Sequence, residues 1–438
     1  MGTKIPLKRE LGLFEVTFSG IGIILGAGIY ALIGEGAGMA GNALWLSFAI
    51  SAAIAVFTGL SYAELSAMFP RAGAEYEYVK RAFGKRTAFV IGWLIILSGI
   101  IGASAVSLGF AGYASALTGT GPALSGIDHA LFAAGLVVGL TLLLTRGIRV
   151  SALFAVIFTL VEVAGLLLII AIGVPYLGRV EYLEMPLGFP GVLSAAALVF
   201  FAYIGFEDVV KLAEETREPE RNIPRGLLIA MAISILLYIL VSVSAVSVAG
   251  WEALAASEAP FAAVAGRSLG GWASILLSGI ALFATANTVL LMLLASSRIT
   301  YGMADAGDLP ASLGHVHEKS RTPLLATLAV GAAACLFTLA GDIGFVAGLT
   351  NFTLFLTFSV INATVVLLRV RFPGIRRPFA VPGSVLGIPL LPVAGVVASV
   401  ALLTRLDPAV IGLGAVLVVL GTGYALARIP RGEPGSPG

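Results

Sequence analysis

The chain has 438 residues, of which 58% are hydrophobic and only 11% charged, with a net charge of +2. Soluble globular domains carry about 25% charged residues, so an ordinary water-soluble fold is excluded, and so small a net charge gives no footing for nucleic-acid binding. A single cysteine, Cys335, leaves no intramolecular disulfide to form.

The start, MGTKIPLKRE, is polar and basic, with no apolar core before residue 11. No cleavable signal peptide is expected, and Pro6 replaces the Ser/Thr that myristoylation needs. Twelve apolar runs follow, at about 12–37, 42–68, 86–118, 129–145, 150–174, 189–213, 224–249, 271–302, 323–340, 343–368, 386–404 and 408–427. A helix needs about 20 such residues to cross a bilayer. With the N-terminus placed in the cytoplasm, all but Arg179, Arg267 and Arg405 of the 26 Lys and Arg residues fall on the cytoplasmic side. That asymmetry sets the expected orientation, with both termini cytoplasmic and an even number of spans in the cell membrane.

The first run, GLFEVTFSGIGIILGAGIYALIGEGA, carries Gly26-Ala27-Gly28 at its middle. Each glycine disfavours helix by roughly 1 kcal/mol relative to alanine, and lets backbone approach a ligand closely. The pattern predicts a helix interrupted near Gly26–Gly28; the plainer alternative is a small-residue packing face. Broken backbone at membrane depth needs a protein-enclosed cavity, where the second half-helix offers N–H groups and a positive dipole end to an anion. Residues 69–85, FPRAGAEYEYVKRAFGK, are amphipathic and basic and are expected on the cytoplasmic face.

Glu162 stands at the centre of the fifth run, LFAVIFTLVEVAGLLLIIAIG. An isolated ionised carboxylate there costs several kcal/mol. This suits a group that takes up and releases a proton; otherwise it is a neutral acid bonding a neighbouring helix. The sixth run, GVLSAAALVFFAYIGFEDVVKLAEETREP, passes from aromatics to Gly205 and then Glu207-Asp208, still near membrane depth. Runs one and six each open a set of five, and each carries a glycine-centred irregularity. Interrupted segments at matching positions point to an inverted-repeat transporter. Farther on, residues 251–268 are expected to cap an outer vestibule, and 429–438 form a Pro/Gly tail expected to be disordered. His129, His315 and His317 are scattered and give no metal site, and neither GxxxxGK[ST] nor HExxH occurs. No cofactor and no enzymatic activity are expected.

GIILGAGIY in the first run, FFAYIGFED in the sixth, EETREPERNIPRG after it, and RITYGMADAGDLP followed by Thr322-Pro323 resemble the amino acid–polyamine–organocation (APC) transporter superfamily. The resemblance covers about residues 8–370, and the stretch from IGFE to RNIPR is its specific part. It implies an all-α polytopic membrane protein of twelve transmembrane helices. Two inverted five-helix repeats, 12–174 and 189–369, with broken helices 1 and 6, would be followed by trailing helices in 386–427. A cytoplasmic segment (1–11) and a tail (428–438) would flank them.

The substrate implied is an amino acid, a zwitterion whose two ends must both be satisfied in a low-dielectric site. Its carboxylate would take the N–H groups of Ala27 and Gly28 beside Gly26. Its ammonium would take carbonyls of Ile24, Phe201, Ala202 and Ile204, freed where the helices unwind. Phe200, Phe201, Tyr203 and Phe206 would form an apolar wall, or else pack as ordinary helix aromatics. Some proteins resembling this one have a lysine where Glu162 stands, its ammonium replacing sodium. A carboxylate cannot mimic sodium, so the departure supports proton coupling and leaves sodium open. Thr285, Asn287 and Thr288 of the eighth run are its expected neighbours. Glu207 matches an acidic position implicated in pH response in related exchangers, or else caps the second half-helix. Asp208 is expected to be solvated and Glu64 and Glu15 to be interfacial; the loop from Glu214 to Arg225 is either solvated or an ion-paired inner gate.

The function expected is a proton-coupled secondary transporter of neutral amino acids working by alternating access. The alternatives are a proton- and sodium-independent exchanger of amino acids or polyamines, a membrane sensor that binds without moving its ligand, and a channel.

Overall fold

The computed structural model describes residues 9–71, 74–118, 126–146, 152–317 and 322–430. The first eight residues and the tail beyond 430, both assigned a cytoplasmic place above, lie outside the described residues. The described residues are all-helical apart from one tiny hairpin. In order come α1 (Leu13–Ile24), α2 (Gly28–Ala40), α3 (Leu44–Met68), α4 (Ala74–Phe83), α5 (Lys85–Thr118), α6 (Gly126–Thr145), α7 (Ala152–Gly173) and α8 (Gly188–Val199). Then follow α9 (Pro219–Ala249), α10 (Trp251–Ala255), α11 (Pro260–Leu269), α12 (Gly271–Asp305), α13 (Leu324–Thr338), α14 (Ile343–Arg371), α15 (Leu390–Leu403) and α16 (Pro408–Arg428).

Among the described residues, eight helical stretches are long and apolar enough to cross a membrane, and Leu13–Ile24, His129–Thr145, Leu324–Thr338 and Leu390–Leu403 are apolar but shorter. These fall on the apolar runs of the sequence. Their length is what satisfies the backbone in hydrocarbon, since a helix pairs its own N–H and C=O groups. At the centre α5 lies along α12 and α14, while α3 lies along α9.

Three local differences from the expectations have physical causes. The sixth run is α-helical only to Val199; beyond it come two 3-10 segments, Phe200–Tyr203 and Phe206–Glu215. The 69–85 element is a helix, but it does not lie free on a surface. Ala74, Glu75, Tyr78, Val79 and Ala82 are buried, because α4 packs its apolar stripe on α5 and α14. Glu64 is not interfacial: it is 1% exposed and is covered by arginines of α14 and the stretch after it. Glu15 folds back on its own helix, accepting the N–H of Gly12 at 2.8 Å as an N-terminal cap. A Gly-x-Ser-x-Gly string at 266–270 merely closes α11, with Gly270 as its C-cap, and is no strand-to-helix nucleophile elbow.

The stretch 251–268 forms the two short helices α10 and α11. The hairpin pairs β1 (Ser384–Val385) with β2 (Ile388–Pro389) just before α15.

Candidate functional site

The first interruption is tied on both sides by side chains from other helices. α1 stops at Ile24, and the N–H of Leu25 makes the last α-type bond, to Ile21 O at 2.8 Å. The Ile24 carbonyl then accepts the hydroxyl of Tyr238, on α9, at 2.7 Å. On the far side of Gly26 the Ala27 N–H donates to Thr288 Oγ1, on α12, at 3.1 Å. α2 restarts at Gly28, so the N–H groups of Gly28, Ile29 and Tyr30 have no acceptor within the helix.

In the second interruption Ile204 leaves the 3-10 turn with ψ 137°, and Gly205 follows with φ +115°. That left-handed conformation is one that glycine alone adopts freely. Glu207 Oε2 accepts the Gly205 N–H at 2.9 Å, so this carboxylate caps the restarted segment.

The two interruptions touch. A Cβ on Gly28 would sit 2.8 Å from Ala202 Cα, and one on Gly205 would sit 2.7 Å from Ile23 O. Side chains at these positions would force the two broken backbones apart.

Against this joint lies a cavity of about 710 Å³. Of the residues singled out from the sequence, Ile24, Gly26 and Gly28 line it from the first interruption, and Phe201, Ala202 and Ile204 from the second. Glu162, Glu207, Asn287 and Thr288 line it as well. Ala27 and Tyr203 lie behind the wall. Ala27 is fully buried, and Tyr203 donates its hydroxyl to Phe48 O at 3.1 Å while its ring packs 5.3 Å from Tyr238. Phe200 and Phe206 are core aromatics, packed on Phe355 and Phe358. Of the four aromatics considered as wall, Phe201 alone borders the cavity.

Glu162 is 1% exposed, and its Oε1 has no hydrogen-bond partner among the described residues. Asn287 stands beside the carboxyl, and the Tyr30 hydroxyl donates to the Glu162 backbone carbonyl at 2.9 Å. Thr285 is spent on its own helix, bonding Ala281 O at 2.7 Å. Asn287 and Thr288 are consecutive on α12. One side chain therefore meets Glu162 while the next meets the first interruption.

The cavity reaches exposed Glu215 and Arg298 at the Lys/Arg-rich end. Away from the cavity lining, the rings of Tyr30 and Phe261 meet edge-on at 5.1 Å, and a Cβ on Gly34 would lie 2.8 Å from Leu254 O of α10.

At the mouth sits a cluster that the sequence reading missed. Lys211 Nζ pairs with Asp208 and lies 4.0 Å from Glu75 Oε1, which also accepts the Tyr62 hydroxyl at 3.3 Å. Burial holds the Glu75 carboxyl above its ordinary value, with Lys211 pulling the other way. Asp208 and Lys211 meet because residues three apart eclipse in a 3-10 helix. The pair at i and i+3 beside an apolar run was the available signal; nothing local pointed to Glu75. The following loop, read as a possible ion-paired gate, carries an exposed ion pair between Glu220 Oε2 and Arg376 Nη2 at 3.7 Å, and it is tied by backbone as well, with Glu215 O accepting the N–H groups of Glu10 and Leu11 at 2.9 and 3.0 Å.

Residues 11–422 match the family model described as Amino acid permease. The branched-chain amino acid permease BcaP of Bacillus subtilis is 35% identical over 88% of this chain and 85% of its own length. The methylthioribose transporter of the same organism is 32% identical over 88% and 86%. The vacuolar cationic amino acid transporter 4 of Arabidopsis thaliana is 33% identical over 83% of this chain and 64% of its own.

Proposed function

The chain belongs to the amino acid permease family of the APC superfamily, and from that premise we propose that it moves neutral amino acids by alternating access with proton coupling. The single observation that carries this reading is the cavity between two interlocked interruptions, into which a buried carboxyl with an unpartnered oxygen faces. The substrate carboxylate takes the N–H groups that open α2, favoured there by the helix dipole. Thr288 already bonds the Ala27 N–H, so its hydroxyl stands where a carboxylate oxygen would bind and yields when substrate arrives. The ammonium takes carbonyls freed at the two interruptions. Among these Ile24 O is shared with Tyr238, which uses one of its two lone pairs. Phe201 and the apolar side chains of α5 and α12 that border the cavity favour an uncharged substrate side chain.

Proton uptake at Glu162 removes a charge from a nearly dry site and frees Asn287 and Thr288 to follow the substrate. The frame for this motion is the twelve-helix arrangement of two inverted repeats plus two trailing helices. It sits in the cell membrane with both termini cytoplasmic, so that the cavity opens inward.

The test is uptake of a labelled amino-acid panel into sodium-free proteoliposomes, with and without an inward proton gradient. Accumulation above equilibrium only with the gradient is the expected result. Uptake that requires amino acid preloaded in the lumen would instead make the protein an exchanger. Gly28→Leu, which drives a side chain into Ala202, is expected to abolish substrate binding.

A further inference from the structure

A furrow of about 430 Å³ runs down the outside of the helix bundle between α14 and α15. Ala363, Val366, Leu367 and Val370 form one wall, Val393, Val396 and Val397 form the other, and Phe83 closes one end. The spacings i, i+3, i+4 and i+7 put each set on a single helix face. The helices approach closely at Gly395, where a Cβ would lie 2.7 Å from Asn362 Nδ2. Every lining side chain is apolar, yet Val370 and Val397 are 61% and 63% exposed. Small and β-branched side chains leave a smooth channel that neither helix fills.

Charge marks the closed end. Lys80, one turn before Phe83 on α4, is exposed, with Nζ 5.8 Å from the Tyr76 ring centre. Arg371, next to Val370, is exposed too, and its Nη1 donates to Ala82 O at 3.1 Å, which holds it beside Phe83. The β1–β2 hairpin stands immediately before α15. Its Val385, Leu386 and Ile388 are 55%, 98% and 42% exposed. Leu386 holds φ +52°, a strained value for a side chain with a Cβ. An apolar tip next to cations is the composition of an element seated at a headgroup–acyl boundary.

We propose that this furrow is a binding site for one anionic phospholipid of the leaflet on the Lys/Arg-rich side. One acyl chain lies between α14 and α15 against the valines. The phosphate lies between Lys80 and Arg371, and the hairpin tip enters the same interfacial layer. Lys80 and Arg371 choose the headgroup, and the furrow holds the chain. The site is distinct from the central cavity and does not depend on what that cavity carries.

The test uses the full chain purified in detergent, with added phosphatidylglycerol or phosphatidylcholine of identical acyl chains. Native mass spectrometry reads retained lipid and thermal unfolding reads Tm. The wild type is expected to retain one phosphatidylglycerol per chain, and phosphatidylglycerol is expected to raise Tm more than phosphatidylcholine does. Lys80→Gln, an exposed change that leaves the fold alone, is expected to cut the preference for phosphatidylglycerol about fivefold, the effect of one surface cation at an anionic leaflet. Val397→Trp, which fills the furrow from an exposed position, is expected to lose the bound lipid. Equal retention by Val397→Trp and wild type overturns the site, and equal retention of the two lipids by the wild type overturns the headgroup assignment. A lipid-free dimer that Val397→Trp dissociates would give the furrow to a second copy of the chain and likewise overturn the proposal.

Discussion

Glu64 and Glu162 are equally buried, each 1% exposed, and they are surrounded in opposite ways. Glu64 is saturated. Its Oε1 accepts Arg369 Nε at 2.9 Å and pairs with Arg377 Nε at 3.4 Å, while its Oε2 accepts Arg369 Nη2 and the Val381 N–H, the latter at 2.8 Å. It fastens α3 to α14 and to the stretch that leads into the hairpin. Glu162 has Asn287 beside it and an oxygen with no partner among the described residues, and it borders a cavity where Glu64 does not. Burial alone therefore does not separate a staple from a working group. The inventory of partners does, because a carboxylate whose oxygens are all bonded is a fixed tie between elements, whereas one with an open oxygen can take a new partner.

The contrast can be broken at four points, the largest effect first. Glu64→Gln leaves Arg369 and Arg377, which are 10% and 12% exposed, without their buried counter-charge and is expected to cost about 3–5 kcal/mol, the usual penalty for halving such an ion pair. Thermal unfolding in detergent reads that loss, while the half-saturation of transport by the protein that remains folded stays at the wild-type value. A pH-dependent transport defect with no loss of stability would place coupling at Glu64 and dissolve the contrast.

Glu162→Gln keeps size and polarity and removes only the ionisable group. Stability should move by no more than about 1 kcal/mol, since surrounding bonds are few. Accumulation driven by a proton gradient should disappear while counterflow of labelled for unlabelled substrate continues. Unchanged gradient dependence would move coupling elsewhere.

Thr288→Val deletes the acceptor for the Ala27 N–H and loosens the first interruption. Because the substrate carboxylate no longer has to displace that hydroxyl, a bond of about 1 kcal/mol corresponds to roughly a fivefold fall in half-saturation. Uptake titrations would show it, and an unchanged value would remove α12 from the binding step. Tyr238→Phe is the gentlest change, taking one donor from Ile24 O without leaving a void. A stability loss of about 1 kcal/mol or less is expected, read as a small drop in Tm. A larger effect on transport than on stability would promote Tyr238 from brace to participant.

The sequence made Glu162 legible and left Glu64 obscure for a simple reason. A lone acid in the centre of an apolar run announces itself, whereas Glu64 stands near the end of one, where water is the default partner. Its true partners are 305 and 317 residues away along the chain, and no local pattern encodes that meeting. The same limit explains Lys211, which reads as one more cation at the basic end until α4 brings Glu75 to it. The interruptions were readable because glycine and a run of aromatics mark backbone that cannot continue as helix. Which aromatic faces the cavity was not, since Phe201 and Tyr203 are two residues apart and only packing decides that one borders it while the other bonds Phe48.

The meshing of Gly28 with Ala202 and of Gly205 with Ile23 also bears on biogenesis. The first hydrophobic segment leaves the ribosome long before its counterpart exists, some 170–180 residues upstream. At about 5–20 residues per second, that segment waits roughly 10–35 s with its broken backbone unmatched. For that interval the exposed N–H and C=O groups must be kept from lipid by water, by the insertion machinery or by a temporarily continuous helix. A chain stalled after α7 should therefore stay tethered to the insertion machinery and be degraded faster than one stalled after α9, because only the longer chain carries the piece that closes the joint.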